Sequence, residues 1–461
     1  MNNMKYDIYD KPKTYVEWLL LSLQQLVAVF GATILIPIII GINPALGLMT
    51  AGIGTLAYIL WTKKSAVFLG NSGTFIPLLF GLSLGNPTLL ITGVITIGVV
   101  YILIGTIVRF TGTLWIKNIL TPVIVGPIIM ILGISLVAYS ITWFGLDATI
   151  DTGNSLSLDQ WFTLGIATLT FIVTTLFVLK GNKVTKTYSI IIGLALSSVI
   201  AIIINLIIGG GLPTLSDMDN FVVENPIKSI SSTWSKFNLS NISFMQLIPF
   251  IIISFVSMAE HIGDHTVLSA TVKRDLLQDP GLDKTLQAQG LATLSAGLLG
   301  SSPVTTYGES TASVAISKVS SKYVVGGAAV LAIIISFTPV LTLLAFIPTA
   351  VFGGLSLLLY CFIFLNGLKV LLNSEVDFSN QKNLLIISVM ILLGTAVTLI
   401  PAYSQIFIGV DVFRTGDISF QLSGLMLPLI IGVLMQTLLP DEQDDTDEQD
   451  DTDEQEDTEE S

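Results

Sequence analysis

The residues with chemistry to offer are few, and they cluster. The stretch Ser257-Met258-Ala259-Glu260-His261-Ile262-Gly263-Asp264-His265 sets Glu260 and Asp264 four apart, on one face of a helix, with His261 and His265 as the adjacent stripe. A third carboxylate, Glu309, follows at the end of Ser301-Ser302-Pro303-Val304-Thr305-Thr306-Tyr307-Gly308. All lie in apolar surroundings. An ionisable side chain at membrane depth costs about 2.5–3.5 kcal/mol on insertion scales and marks a pathway or a relay. Glu260 and Glu309 have no basic residue nearby in sequence. Asp264 and His265 approach Lys273 and Arg274, so they fit either a site or an interfacial helix end. His261 fits either a relay or a simple bond to a backbone carbonyl. Carboxylates suit a ligand that presents N–H donors, and exposed backbone N–H groups suit carbonyl oxygens. A small planar imide or amide combines the two. A carboxylic acid in such a site can also couple transport to a proton, provided that its protonation changes affinity or the ease of reorienting the loaded site. Glu260, Glu309, Asp264 and His261 are the candidates, with the proton as coupling ion and no other cofactor.

Backbone N–H groups become available where apolar segments are broken, and two breaks resemble each other. One is Leu69-Gly70-Asn71-Ser72-Gly73-Thr74-Phe75-Ile76-Pro77, and the other is Leu299-Gly300-Ser301-Ser302-Pro303 leading to Glu309. Both open with Leu-Gly, then Asn or Ser, then Ser, and both carry a proline. Small residues of this kind also serve close helix packing in membranes. Matched breaks seven spans apart instead suggest an inverted repeat, whose discontinuous segments meet near the midplane. Non-helical backbone at depth is tolerated only where it is buried or lines a cavity.

The elements that must position these groups are membrane spans. The chain has 461 residues, 52% of them hydrophobic and only 11% charged, with a mean hydropathy of +0.81. Soluble proteins carry about 25% charged residues, so a soluble fold is excluded. Apolar windows of spanning length or near it fall at 17–40, 45–62, 67–84, 88–108, 119–141, 161–179, 187–209, 245–268, 285–300, 303–317, 324–338, 340–365, 383–401 and 420–439. The first exceeds a signal-peptide core and reads as a retained span. Fourteen spans with both ends cytoplasmic put 17 of the 20 Lys and Arg inside and Lys228, Lys236 and Arg414 outside, as the positive-inside rule requires. One missed span would invert every later loop and destroy that bias. The loop around 210–244 reads as an external connector with room for a short amphipathic piece. Cys361 alone makes no intramolecular disulfide, and with two histidines it makes no structural zinc site. No glycine-rich nucleotide motif and no nucleophile–base set appear, which disfavours ATP-driven transport and an enzyme.

At these residues the chain resembles the nucleobase–ascorbate transporter family, and within it the bacterial uracil permease branch. The resemblance covers about 14–440 and rests on Phe30-Gly31-Ala32-Thr33, Ala259-Glu260-His261-Ile262-Gly263, the run Lys273 to Leu282, Thr305-Thr306-Tyr307-Gly308-Glu309, and Gly353-Gly354-Leu355-Ser356-Leu357-Leu358-Leu359-Tyr360. It implies an all-α polytopic membrane fold of 14 segments in two inverted repeats of seven, with short antiparallel strands in segments 3 and 10. The implied divisions are a cytoplasmic N-terminus (1–16), a core domain (17–110 and 245–338), a gate domain (111–209 and 339–440), an external loop (210–244) and a cytoplasmic tail (441–461). The implied function is proton-coupled uptake of uracil across the cell membrane by alternating access. The implied substrate contacts are the Glu260 and Glu309 carboxylates, the backbone amides of Gly73 and Gly308, and the pocket walls at Ala32, Tyr307 and Tyr360. Membrane lipid and a second copy of the chain, as a homodimer through the gate, are the implied partners, with no nucleic acid.

Several positions depart from the family pattern. The Gln-His pair of span one reads Gln24-Gln25, and the histidine four residues after the span-eight glutamate is Asp264. After Glu309, the Asn, Gly, Thr and Arg of the signature read Ser310, Ala312, Ser317 and Lys318. Gly73 stands where a relative has an aromatic residue. The competing readings are a symporter for xanthine or another purine, and an anion transporter or channel of similar architecture; the paired glutamates argue against the second. The net charge of −13 bears on none of this. Residues 441–461 hold 14 of the 33 acids, in three hexads reading DEQDDT, DEQDDT and DEQEDT followed by Glu459 and Glu460, and the remainder has 19 acids against 20 bases. A like-charged tail without apolar residues is expected to be disordered.

Overall fold

In the computed structural model, residues 4–79, 86–144, 146, 158–182, 185, 189–207, 224–341, 347–374, 376–399, 410–415, 418–422 and 426–440 are described. The acidic tail, all of 208–223 and the side chains of Ala32 and Glu309 lie outside this description. The chain order is α1 (Tyr15–Ile40), α2 (Pro44–Thr62), β1 (Leu69–Asn71), a 3-10 turn (Gly73–Phe75) running into α3 (Ile76–Leu79), α4 (Pro87–Thr111), α5 (Leu114–Ile119), α6 (Pro122–Trp143), α7 (Leu158–Lys180) and α8 (Ser189–Ile207). It continues with α9 (Pro226–Ser235), α10 (Phe244–Val272), α11 (Leu282–Leu298), β2 (Val304–Thr306), α12 (Gly308–Ser317), α13 (Lys322–Ser336), α14 (Thr349–Asn373), α15 (Gln381–Leu399), β3 (Val410–Thr415), β4 (Ile418–Leu422) and α16 (Met426–Leu438).

Each of the fourteen apolar windows holds helix, and local chemistry sets the ends. α2, α4 and α9 each begin at Asn-Pro: the asparagine side chain accepts a backbone N–H of the first turn, and proline at the first position has no N–H to leave unpaired. α10 opens on a capping box between Ser243 and Gln246. Lys63, Lys273 and Lys318 close α2, α10 and α12 in the left-handed conformation, placing a cation at the negative end of each helix. The window at 340–365 is displaced, because Pro348 starts the helix and carries it on to Asn373. The connector expected over 210–244 contains α9, whose Trp234 indole donates to the Leu298 carbonyl. Two elements have no counterpart in the apolar pattern. One is the β3–β4 hairpin, which pairs Val410 with Leu422 and Thr415 with Ile418, so that Arg414 sits in a strand rather than a plain loop. The other is the N-terminal segment. It lies along 318–322, with Lys5 N–H donating to the Lys318 carbonyl at 2.7 Å, Ser320 N–H to Tyr6 at 2.9 Å and Lys322 N–H to Ile8 at 3.1 Å. Tyr6 and Ile8 are buried, and Arg274 donates to Asp7 at 2.6 Å.

The helices pack in two groups. α4 lies on α11, α13 on α2, α2 on α11, α1 on α13, and α10 on α4. α14 lies on α6 and α7, α15 on α6 and α16, and α7 on α8. Backbone contact at small residues makes the tightest seams: a Cβ on Gly98 of α4 would fall 2.9 Å from the Gly290 carbonyl of α11, and one on Gly367 of α14 would fall 2.6 Å from the Gly126 carbonyl of α6. Exchanging each element for the one seven windows later maps this packing onto itself. The pair α4–α11 becomes α13–α2, α1–α13 becomes α10–α4, α14–α7 becomes α6–α15, and α7–α8 becomes α15–α16.

Candidate functional site

The two broken segments meet. β1 and β2 run antiparallel with Leu69 opposite Thr306, Gly70 opposite Thr305 and Asn71 opposite Val304, and Ser72 N–H extends the ladder to the Pro303 carbonyl at 2.9 Å. All six strand residues are buried. Backbone polar groups at this depth need partners, and each strand pairs one edge with the other. Their outer edges are served by threonines of corresponding helices. Thr55 on α2 accepts from Leu69 N–H at 2.9 Å and donates to the Leu69 carbonyl at 3.2 Å, while Thr293 on α11 donates to the Val304 carbonyl at 2.9 Å. Asn71 donates to the Thr33 carbonyl and accepts from Ser302, each at 2.7 Å. The Tyr307 hydroxyl donates to the Asn71 carbonyl, and its ring lies over Gly70, where a Cβ would sit 2.1 Å from a ring carbon.

Each strand leads into a helical N-terminus without a side-chain cap. Ser72 precedes the 3-10 turn and Tyr307 precedes α12, and neither side chain caps. The first backbone N–H groups of a helix have no partner within it and carry the positive end of its dipole. Gly73 and Gly308, the first residues of these helices, line one cavity with Glu260, Asp264, Tyr307 and Tyr360. Its other walls are Leu35, Ile36, Ile76, Ile129, Leu132, Leu136, Leu359 and Ile363, with Asn366. Thr74 donates to Glu260 Oε2 at 2.5 Å, and Thr306 donates to Asp264 Oδ2 at 2.9 Å. Both carboxylates of α10 are therefore oriented by hydroxyls from the broken segments. Asp264 is buried inside the site and does not lie at an interfacial helix end. Glu309 occupies the first turn of α12. The Tyr360 hydroxyl is buried with no hydrogen-bond partner within 3.5 Å among the described residues.

The histidines face away from this cavity. His265 Nδ1 lies 2.9 Å from the His261 carbonyl, so it carries the proton, and Nε2 accepts from the Tyr58 hydroxyl at 2.7 Å. His261 Nδ1 meets Gln289 Oε1 at 2.6 Å, and the two rings stack with centroids 4.1 Å apart. His261 therefore meets a glutamine side chain rather than a backbone carbonyl, and its own carbonyl accepts from His265. Among the described residues no group of three or more His, Cys, Asp or Glu is placed to hold a metal ion.

Two departures from the family pattern turn out to touch. Gln25 of α1 donates to Ser310 Oγ at 3.0 Å and accepts from Ser313 at 2.7 Å, and Ser310 also accepts from Phe68 N–H at 3.0 Å. Gln25 and the two serines are buried, and together they tie α1, the entry to β1 and α12. Sequence reasoning flagged Gln25 and Ser310 singly, and nothing in it joined them. It singled out none of Thr74, Thr306, Thr55, Thr293 or Asn366. The one available signal was an asparagine inside the apolar run Phe362-Ile363-Phe364-Leu365-Asn366.

Residues 16–403 match the permease family of xanthine and uracil permeases. The chain is 34% identical over 445 residues to the uracil permease of Bacillus caldolyticus, covering 95% of this chain and 96% of that one. It is also 34% identical over 438 residues to the uracil permease of Escherichia coli K12, covering 92% of each. Its fold is similar to the transmembrane domain of the cyanobacterial bicarbonate transporter BicA (TM-score 0.58, 17% identity, 84% of this chain and 96% of that chain). It is similar as well to SLC26A9 (TM-score 0.60, 14% identity, 93% of this chain and 66% of that chain). The molecule is an all-helical, multi-pass membrane transporter with short strands, and not an enzyme.

Proposed function

Because the chain belongs to the xanthine/uracil permease family, we propose that it takes up uracil across the cell membrane, coupled to protons, by alternating access. The observation that carries this reading is the convergence of α10 carboxylates and two uncapped helical N-termini on one cavity. A uracil ring presents N–H and C=O groups in alternation around a flat edge. Glu260, held by Thr74, and Glu309 accept the ring N–H groups, and the backbone N–H groups of Gly73 and Gly308 donate to the carbonyls. Tyr307, Tyr360 and the Ala32 position bound the ring. The names of the relatives favour uracil over a purine.

Coupling follows from the same carboxylates. A charged Glu260 or Glu309 accepts from substrate, and its protonation neutralises the site before it moves through the apolar interior; Asp264 and His261 are further proton carriers in this scheme. The packing of α1, α2, α4, α10, α11 and α13 around the strands supports treating them as the core domain, and the α6–α8 and α14–α16 group as the gate, in two inverted repeats of seven. The lysine distribution supports cytoplasmic termini, and two copies associate through their gates. The test is a nucleobase panel in proteoliposomes with an imposed proton gradient. Labelled uracil should accumulate with the gradient and compete with unlabelled uracil but not xanthine. E260Q and E309Q should each lower accumulation at least 100-fold. Full gradient-driven accumulation by E309Q would remove that carboxylate from the mechanism, preference for xanthine would move the substrate to a purine, and anion current independent of nucleobase would replace the reading altogether.

A further inference from the structure

One wall of the cavity carries a polar group that the scheme above leaves unused. Asn366 lines the cavity from α14, between the apolar side chains Ile363 and Leu359 of its own helix and Ile129 and Leu132 of α6. It is half-buried and has no hydrogen-bond partner among the described residues. A primary amide set among aliphatic side chains at this depth is unfavourable unless something completes its bonds. Its nitrogen also packs directly on the start of α12. A Cβ on Gly308 would fall 1.8 Å from Asn366 Nδ2, so the amide occupies the space that the missing side chain leaves. That contact sets the amide beside Gly308, which lines the same cavity.

The placement sets a chemical class. An amide donates and accepts from adjacent atoms, and its natural complement is another cis-amide edge: a carbonyl beside a ring N–H on a planar ring. We propose that Asn366 is a specificity-determining residue, whose side-chain amide donates to an exocyclic carbonyl of the bound pyrimidine from the α14 side. The proposal rests on the reading of the cavity as a uracil site. It also gives the substrate a mechanical role. Glu260, Gly73 and Gly308 belong to elements packed around the strand pair, whereas α14 packs on α6 and α7. A ring bonded to both adds a polar link between the two helix groups, which already touch where α10 and α12 meet α14.

Binding of uracil, 2-thiouracil and 4-thiouracil to the purified full-length protein in nanodiscs, by calorimetry, tests this. Sulfur accepts hydrogen bonds poorly, so both thio-analogues should bind wild type more weakly than uracil, and the one thionated at the carbonyl that Asn366 serves should lose about 3- to 10-fold more than the other, the worth of one further hydrogen bond. N366A should weaken uracil by a similar factor and bring the two analogues to the same ratio against uracil. Should N366A not fold by its melting transition, N366D, which keeps the size and an acceptor but replaces the donor, should collapse the same ratio. Uracil affinity within twofold of wild type in the folded variant, or analogue ratios unchanged by it, would overturn the assignment of Asn366 while leaving the uracil site standing. Absence of uracil binding to wild type would instead remove the uracil site, and this assignment with it.

Discussion

The two broken segments, residues 69–79 and 304–317, are built alike and equipped differently. Each is three residues of strand, a short link and an uncapped helical start, and each has a threonine from a corresponding helix on its outer edge. The side chains do not follow this symmetry. The second segment carries Tyr307, whose ring covers Gly70, and then Glu309 at the head of a ten-residue helix. The first carries Gly73, with no side chain, and Thr74, whose hydroxyl serves Glu260 of another helix. A repeated backbone supplies two matched sets of N–H donors. A substrate without that symmetry has to be read by side chains, and those are placed in one copy at a time.

The comparison can be broken first at its glycines, where the largest effect is expected. Gly70→Ala drives a methyl into the Tyr307 ring and should cost about 1–3 kcal/mol, the range for overpacking a close-packed interior. At Gly73 the nearest atom to a new Cβ is Leu136 Cδ1 at 3.4 Å, so Gly73→Ala should change stability by under about 0.5 kcal/mol. Thermal unfolding of both variants in detergent measures the difference, and equal losses would mean that the ring does not rest on Gly70.

A smaller effect tests the outer edges. Thr55→Val strands both the N–H and the carbonyl of Leu69, whereas Thr293→Val strands one carbonyl of Val304. Leaving a buried polar group unpaired costs about 1–3 kcal/mol, so the first variant should melt below the second and both below wild type. Melting in the reverse order would show that the number of stranded backbone groups does not set the loss at these edges. The smallest effect concerns Thr74. Thr74→Val keeps the fold and removes the hydroxyl that orients Glu260, and uracil affinity should fall about 3- to 10-fold with the melting temperature nearly unchanged. Unaltered affinity would remove Thr74 from the site.

How much of this was legible follows from what each feature depends on. The spans were readable because a bilayer demands long apolar runs, and the lysines counted them independently. The breaks at Gly70–Pro77 and Gly300–Gly308 were readable because glycine, serine and proline interrupt such runs. The start of α14 was misplaced because the residues before Pro348 are as apolar as those after it, and composition alone does not place a helix start within an apolar run. The sequence marked residues 1–16 only as a cytoplasmic N-terminus. Its burial of Tyr6 and Ile8 depends on backbone bonds to 318–322, about three hundred residues away, which no local pattern encodes.

The sequence by itself determined a polytopic membrane body, the two breaks, and the carboxylates Glu260 and Glu309 within it, since each is a statement about residue type and local spacing. Tertiary structure alone decided the partners: Thr74 on Glu260, Thr306 on Asp264, Gln25 on Ser310, and the histidines turned towards Tyr58 and Gln289. The physical reason is that a buried polar group must be satisfied by whatever lies beside it in space. In a packed helical bundle those neighbours come from segments tens to hundreds of residues apart.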